Sequence, residues 1–148
     1  MGKDLIDKTD QKIMKLLQQD ARMPLAKISQ LISMSSPSVK ERITKLEEKG
    51  IITGYRATFD LDKLDRGMTT FVMLKTEKCQ RFIELCRKSK WITDLYRISG
   101  EYNFLLKIQT NSLLELKEIQ NDLMEYGPSK SFIGMEQLIS NQVDISYS

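Results

Sequence analysis

The stretch that decides the fold is residues 24–50, PLAKISQLISMSSPSVKERITKLEEKG. Its apolar residues recur at the spacing of three and four that is typical of amphipathic helices. They fall into two groups, Ile28, Leu31 and Ile32, then Val39, Ile43 and Leu46. Ser35 is placed to cap the second group through its side-chain oxygen, and Pro37 suits a first helical turn, where backbone N–H groups lack helical partners. The stretch therefore predicts two short helices joined by a tight turn.

The outer face of the second helix has the chemistry of a DNA-reading helix. Hydroxyls and free N–H groups at a helix start can bind phosphate, and longer cationic side chains can reach base edges in the major groove. The residues expected to contact DNA are Ser35, Ser36, Ser38, Val39, Lys40, Arg42 and Lys45. Two alternatives stay open: a generic helical hairpin with solvated cations, and an ion pair in which Arg42 packs the helix.

The charge distribution favours the nucleic-acid interpretation. Residues 1–66 hold 13 Lys and Arg against 10 Asp and Glu, whereas residues 67–148 hold 10 of each, so all of the net charge of +3 lies with the helix pair. Affinity for nucleic acid rests largely on such charge. Because the excess is small, we expect a dimer or larger assembly to bind DNA rather than one copy.

The composition excludes several classes of protein. A chain of 148 residues that is 41% hydrophobic and 29% charged can form one or two small domains with a real core. It has no histidine, which removes Ser-His-Asp and Cys-His arrangements and zinc sites that need imidazole. We expect no cofactor, metal or catalytic residue. The polar N-terminus, the lack of an apolar run of about 18 residues and the lack of a disulfide-type cysteine pattern predict a cytoplasmic protein without a membrane partner.

The rest of the chain predicts an α+β protein with three parts. Residues 1–52 form a three-helix, helix-turn-helix DNA-binding domain, whose first helix is capped by Asp7 with Asp10 three residues later. Residues 53–67 are an extended segment and linker. Residues 68–148 show the order β-α-β-β-α-β of a ferredoxin-like domain, four antiparallel strands with both helices on one face. The expected elements are strands at 69–76, 92–99, 102–110 and 132–145, and helices at 79–89 and after Ser112.

One face of that sheet is left without helices. Phe104, Leu106 and Ile108 alternate on one side of the third strand, and Leu105 lies on the other side. An apolar sheet with a single helical layer usually buries its second face in a partner. The pattern therefore predicts a homodimer formed through residues 68–148.

Three segments together resemble one family of regulators. They are IDKTDQKIMKLLQQDAR at 6–22, MSSPSVKERITKLEEKGIITGY at 34–55 and RISGEYNFLLKI at 97–108. In order and spacing they resemble the leucine-responsive regulatory protein/AsnC (Lrp/AsnC, feast/famine) family of transcription regulators. The resemblance implies a sequence-specific regulator that binds double-stranded DNA. It also implies a homo-oligomer such as an octamer, and an effector domain that responds to an amino acid or similar small ligand.

The resemblance places an effector site at the turn of Ser99, Gly100, Glu101, Tyr102 and Asn103. The family pattern there is Gly-x-x-Asp, and this chain has Asn103 in place of the aspartate. Asparagine lacks the charge that attracts an ammonium group, so an aspartate should suit an amino acid better. The alternative is an ordinary hairpin turn, and hence a regulator of the same fold without an effector.

Two further functions remain as alternatives. A small enzyme of the acylphosphatase type could use a ferredoxin-like domain, since a fold does not fix a function, and Arg81 and Arg97 are its candidate phosphate-binding residues. An assembly module whose helix pair binds protein is the other alternative. Duplex DNA binding with strong salt dependence would separate the regulator from both.

Overall fold

The computed structural model describes residues 6–146, which form two compact units. The first unit contains the chain up to Thr58 together with the segment from Asn141, and the second unit is Phe59–Ser140. The first unit holds helices α1 (Lys8–Gln19), α2 (Leu25–Ile32) and α3 (Ser36–Glu48). The second holds β1 (Met68–Leu74), α4 (Cys79–Lys88), β2 (Ile92–Arg97), β3 (Phe104–Thr110), α5 (Leu113–Met124) and β4 (Ser129–Gly134).

The start of α1 is fixed by a capping box, as the sequence predicts. The Asp10 backbone N–H donates to Asp7 Oδ1 at 2.8 Å, and the Asp7 N–H donates to Asp10 Oδ2 at 3.1 Å. The two carboxylates satisfy N–H groups that have no partner inside the helix and also suit the positive end of its dipole. The three helices then pack around Ile13, Ile28 and Val39, which are fully buried.

The C-terminal segment belongs to the first unit, which differs from the predicted division at residues 52 and 68. The Gln18 side-chain amide on α1 donates to the Val143 carbonyl at 2.9 Å. A cavity of about 640 Å³ lies between α1, residues 51–56 and this segment. The chain therefore passes between the units twice, once at 58–59 and again at 140–141.

The second unit is a four-stranded antiparallel sheet in the order β2-β3-β1-β4. This order and the βαββαβ sequence of elements confirm the predicted α+β, ferredoxin-like fold. The predicted last strand, 132–145, is wrong at both ends, since β4 spans Ser129–Gly134. Its ladder ends where Gly134 meets Thr69, because β1 begins at Met68 and offers almost no further partner.

Both helices of the second unit pack on one face of the sheet. Phe82 on α4 is fully buried, with its ring centroid 5.0 Å from that of Phe104 and 5.5 Å from that of Tyr126. The ten buried residues of this core include Val72, Leu74, Phe104, Leu106 and Ile108, all on the same side of β1 and β3. The predicted alternation along β3 is therefore confirmed.

The opposite face is the open sheet face, formed by Phe71, Met73, Tyr96, Leu105 and Phe132. Phe71 lies opposite Phe132 in the ladder of β1 and β4, and Met73 lies opposite Leu105 in the ladder of β1 and β3. Phe71 is 39% exposed and Phe132 is 52% exposed. Lys107, opposite Phe71, and Lys130, opposite Met73, lie on the same face, so its exposed aromatic side chains stand beside two cations. Exposed apolar side chains grouped in this way are typical of an interaction site.

Candidate DNA interface and effector turn

The turn between α2 and α3 is built by serines. Ser33 ends α2 in the left-handed conformation with φ of 56°, and the Ser29 hydroxyl donates to the Met34 carbonyl. Ser35 then caps α3, because its Oγ accepts from the Ser38 N–H at 3.3 Å and lies 2.8 Å from Ser38 Oγ. Pro37 lies in the first turn, as predicted. The serine-rich stretch thus contributes both the turn after α2 and the capped start of α3.

The structure separates the seven predicted DNA-contacting residues into three groups. Ser35, Lys40 and Lys45 are exposed, and Ser36 and Ser38 are half-buried at the N-terminal end of α3. Lys45 pairs with Glu41 one turn earlier at 3.0 Å, which is a solvent-exposed contact of low energy. These five residues present hydroxyls and cations on accessible parts of one helix.

The expectation for Val39 is wrong. Its side chain is fully buried and forms part of the first unit's core with Ile13 and Ile28. Val39 and Leu46 are the two buried residues of α3, seven positions apart, so they mark the stripe of the helix that packs inward. A side chain on that stripe cannot reach a base edge.

Arg42 is held by two carboxylates at the start of α1. Its Nη1 lies 2.9 Å from Asp7 Oδ1, 2.7 Å from Asp7 Oδ2 and 3.1 Å from Asp10 Oδ1. The Arg42 side chain is 31% exposed and that of Asp10 is 15% exposed. The two contacts span 35 and 32 residues of chain. They support the ion-pair alternative that the sequence left open.

The ion pair changes the titration of its partners. The hydrogen bond from Arg42, followed by the one from the Asp10 N–H, lowers the pKa of Asp7 below its usual 3.8. The hydrogen bonds to Asp7 and Asp10 raise the pKa of Arg42 further above its usual value. Because a lowered carboxyl pKa favours the charged folded form, Asp7 stabilises the fold above its unfolded pKa, and this contribution is lost as the pH falls through its folded pKa.

The predicted effector turn, Ser99–Asn103, joins β2 to β3 in the second unit. The Ile98 N–H donates to the Asn103 carbonyl at 3.0 Å and closes the turn, and Gly100 has a φ of 113° that suits only glycine. Ser99, Gly100 and Glu101 are exposed, whereas Tyr102 and Asn103 are half-buried. The predicted strands 92–99 and 102–110 would leave a connection of two residues. The observed connection is longer, because β2 ends at Arg97 and β3 begins only at Phe104.

The Asn103 side chain is engaged by the backbone of Thr76. Asn103 Oδ1 accepts from the Thr76 N–H at 2.9 Å, and Asn103 Nδ2 donates to the Thr76 carbonyl at 2.8 Å. The Asn103 N–H also donates to the Leu74 carbonyl at 3.1 Å. We call this arrangement the Asn103 clip. It ties the β2–β3 turn to the segment between β1 and α4. An ionised aspartate can accept the first bond but cannot donate the second.

Sequence reasoning missed most of the open sheet face. It named Leu105 but not Phe71 or Phe132, although the alternation of Thr70, Val72 and Leu74 with Phe71 and Met73 was a usable signal. A cavity of about 650 Å³ also lies on this side of the second unit, lined by Phe71, Lys107 and residues 134–139. Three apolar side chains of the lining segment, Met135, Leu138 and Ile139, are exposed.

Three further features of the described residues concern metal ligands, membrane-spanning helices and the two candidate phosphate-binding arginines. No three His, Cys, Asp or Glu side chains within 6–146 come together as metal ligands would. Over the same range, no helix has both the length and the apolar character needed to cross a bilayer. Arg97 stacks over the Phe104 ring at 5.2 Å, and Arg81 is exposed on α4.

Comparison with known proteins agrees with both units. Residues 6–53 match the winged helix-turn-helix DNA-binding family, and residues 69–143 match the Lrp/AsnC ligand binding domain. The HTH-type transcriptional regulator YezC of Bacillus subtilis is 30% identical over 86% of this chain and 92% of its own length. The segments 6–22 and 97–108 lie wholly within these matched ranges, and the segment 34–55 lies within them up to residue 53.

Solved structures give the same result for the fold. LrpC of B. subtilis superposes with a TM-score of 0.86 at 27% identity, over 92% of this chain and 99% of LrpC. The L-Met complex of the regulator NMB0573 from Neisseria meningitidis superposes with a TM-score of 0.87 at 21% identity, over 93% and 94% of the two chains. With a helix-turn-helix unit and a ferredoxin-like unit that each match, the chain belongs to the Lrp/AsnC family and is a DNA-binding transcriptional regulator.

Proposed function

We propose that α3 reads duplex DNA through Ser36, Ser38 and Lys40 in its N-terminal part and Lys45 in its last turn, with Ser35 capping the helix start. The observation that carries this proposal is the capped start of α3, where hydroxyls and N–H groups stand beside exposed lysines. Helix N-termini attract phosphate, and a phosphate contact at the start of a helix fixes the register of that helix in the groove. Lys40 lies one residue after the buried Val39 and projects to solvent.

The test is binding to duplex DNA selected from random fragments, measured by fluorescence anisotropy at several salt concentrations. Lys40→Ala should weaken binding to all sequences and reduce the slope of log K against log salt by about 1 if Lys40 meets phosphate. Lys12→Ala, at an exposed lysine on α1, is the matched control and should change neither quantity. An equal loss of DNA affinity in both variants would mean that any lysine contributes through its charge alone, which would contradict a specific role for Lys40.

We further propose that the protein acts as a homodimer that buries the open sheet face of each copy. Two phenylalanines of this face are exposed in the single chain, and the segment that follows β4 adds further exposed apolar side chains. Burial of such area stabilises by about 25 cal/mol per Å² and favours pairing of two copies. The larger assembly implied by the family, such as an octamer, stays a prediction.

Phe71→Glu tests the dimer, because it places a carboxylate at the centre of the proposed contact. Sedimentation should then show a monomer at micromolar concentration where the unaltered chain is a dimer. Leu114→Glu makes the same change at an exposed position on α5 and should leave the dimer intact. A dimer that survives Phe71→Glu would place the interface elsewhere.

Response to a small ligand is a separate proposal. The match of residues 69–143 to a ligand binding domain supports it, and NMB0573 was solved with L-Met. We propose that Ser99–Asn103 contributes backbone groups to such a site, with an amino acid or a similar molecule as ligand. Calorimetric titration of the twenty amino acids tests this, and no heat at millimolar ligand would favour a regulator without an effector.

We also propose that the protein has no enzymatic activity and works in the cytoplasm. The family consists of transcription regulators, which must reach DNA to act. Of the two candidate arginines of the enzyme alternative, Arg97 lies over the Phe104 ring, whereas Arg81 is exposed on α4. Turnover of an acyl phosphate by the purified protein would contradict the proposal.

A further inference from the structure

Arg42 lies close to the inward stripe of α3, although its sequence position suggested an outward cation. It follows the buried Val39 by three residues and precedes the buried Leu46 by four, and such spacings place side chains on neighbouring parts of one helix face. Its Nη1 contacts both carboxylates that form the capping box of α1. One guanidinium therefore joins the recognition helix to the first turn of another helix.

We propose that Arg42 is a positioning residue: with Asp10 and Asp7 it fixes the orientation of α3 against α1 and so sets DNA affinity without contacting a base. The proposal rests on DNA reading by α3 and deepens it. It assigns part of the DNA affinity to two acidic residues on a helix that carries none of the proposed DNA contacts.

The small core of the first unit gives this ion pair its importance. Within the described part of the chain, its buried cluster consists of Ile13, Ile28 and Val39, with six partly buried apolar side chains packed against it, so fewer buried groups resist a rotation of α3 than the ten-residue core of the second unit would. An ion pair that is partly removed from water is demanding in geometry, and removal of one partner leaves the other charge uncompensated. The Asp10 side chain is 15% exposed and that of Asp7 is 56% exposed, so Asp10 is the partner that is more removed from water.

The proposal can be tested by whether neutralisation of Asp10 raises or lowers the affinity for DNA. A carboxylate repels phosphate, so its neutralisation alone should strengthen DNA binding. Positioning predicts the reverse, because Asp10→Asn removes the charge that holds Arg42. We expect Asp10→Asn and Arg42→Ala each to weaken binding to the selected DNA site about tenfold, a size typical of coupled neighbours.

The decisive measurement is the double-mutant cycle of Asp10→Asn and Arg42→Ala by fluorescence anisotropy. The double variant should lose no more affinity than either single variant, and the salt slope should match that of the unaltered chain in all three. Glu48→Gln, which neutralises an exposed acid on α3, is the matched control and should leave affinity equal or stronger. Circular dichroism of each variant establishes that the helices are folded.

Arg42→Lys covers the case in which Arg42→Ala does not fold. Lysine keeps the charge, but its ammonium nitrogen lies one bond closer to the backbone than Arg42 Nη1, the atom that contacts both carboxylates. Positioning predicts weaker binding for this variant at an unchanged salt slope.

Two results would overturn the proposal. One is an Arg42→Ala variant whose salt slope falls by about 1 while Asp10→Asn binds as well as the unaltered chain or better, which would make Arg42 a DNA contact. The other is unchanged affinity in both single variants. Failure of the unaltered chain to bind any duplex DNA would instead refute DNA reading by α3 itself, and the two failures are therefore distinguishable.

Discussion

The two units of this protein are stabilised in different ways. Among the described residues, the first unit has a core cluster of three fully buried side chains with six partly buried apolar side chains packed against it, and capping groups and an ion pair add polar contacts between its helices. The second unit has ten buried residues between a sheet and two helices, and leaves the other sheet face open. From this comparison we expect the unit that contains α3, the proposed DNA-reading helix, to depend more on individual polar contacts. The larger unit can lose one polar contact and keep its core.

The largest effect is expected from Ile13→Ala in the first unit. Truncation of a buried isoleucine costs about 2–5 kcal/mol, which is comparable to the whole stability of a domain this small. DNA binding and part of the helical circular dichroism should be lost. The fluorescence of Trp91, the only tryptophan of the chain, should stay native because it lies in the second unit.

Leu31→Ala on α2 is the control for that experiment, since Leu31 is exposed and its loss should change stability by no more than about 0.5 kcal/mol. A change in Trp91 fluorescence caused by Ile13→Ala would mean that the two units unfold together, and the contrast between them would fail.

Asn103→Asp should have the next largest effect, and in the second unit. An ionised carboxylate cannot donate to the Thr76 carbonyl, and a buried group left without its partner costs about 1–3 kcal/mol. The loss should appear in urea unfolding followed by Trp91 fluorescence. It should shrink as the pH falls, because a protonated aspartic acid can donate again.

Asn121→Asp makes the same change at an exposed position on α5, and its stability should stay near that of the unaltered chain. The sequence suggested that an aspartate in place of Asn103 would bind an amino acid better. The Asn103 clip gives the residue a structural role instead, and an Asn103→Asp variant of full stability would restore the first interpretation.

Two helix caps of similar geometry offer a direct comparison of the units. Ser35 accepts from the Ser38 N–H and Ser112 accepts from the Glu115 N–H, both at 3.3 Å. Ser35→Ala and Ser112→Ala should each cost about 1 kcal/mol. Only Ser35→Ala should also weaken DNA binding, and equal DNA affinity in the two variants would contradict the dependence of the first unit on single contacts.

The smallest expected effect is the chemical modification of Cys86 on α4. Burial raises the pKa of the Cys86 thiol to about 11, so almost no thiolate exists at a pH of about 8. A disulfide reagent should therefore leave Cys86 unmodified in the folded protein and react with it only after the second unit unfolds. Rapid modification of Cys86 in the folded state, detected by mass spectrometry, would show that the core of this unit opens readily.

Local patterns in the sequence predicted most of the fold. Asp7, Asp10 and Ser35 identify helix starts because each side chain accepts from an N–H three residues away, and Pro37 does so because it has no N–H that needs a partner. Alternation along β3 identifies the buried face because neighbouring side chains point to opposite sides of a sheet. Such signals need no knowledge of distant residues.

The polar contacts that decide the candidate sites could not be predicted in this way. Arg42 meets Asp7 across 35 residues, and Asn103 meets Thr76 across 27. The spacing of Arg42 from Val39 and Leu46 places it beside the inward stripe of α3, but nothing near it in the sequence identifies its partners on α1. The end of β4 likewise depends on where β1 begins, which is a property of the ladder and not of residues 132–145.

The link between Gln18 and Val143 has a consequence for how such regulators can be recombined. Since the C-terminal segment packs with α1, the first unit consists of two separate pieces of the chain. A chimera that exchanges only the first 58 residues with a relative would join foreign helices to a native tail. Exchange of the whole first unit of this chain therefore needs two crossovers, one on each side of Phe59–Ser140.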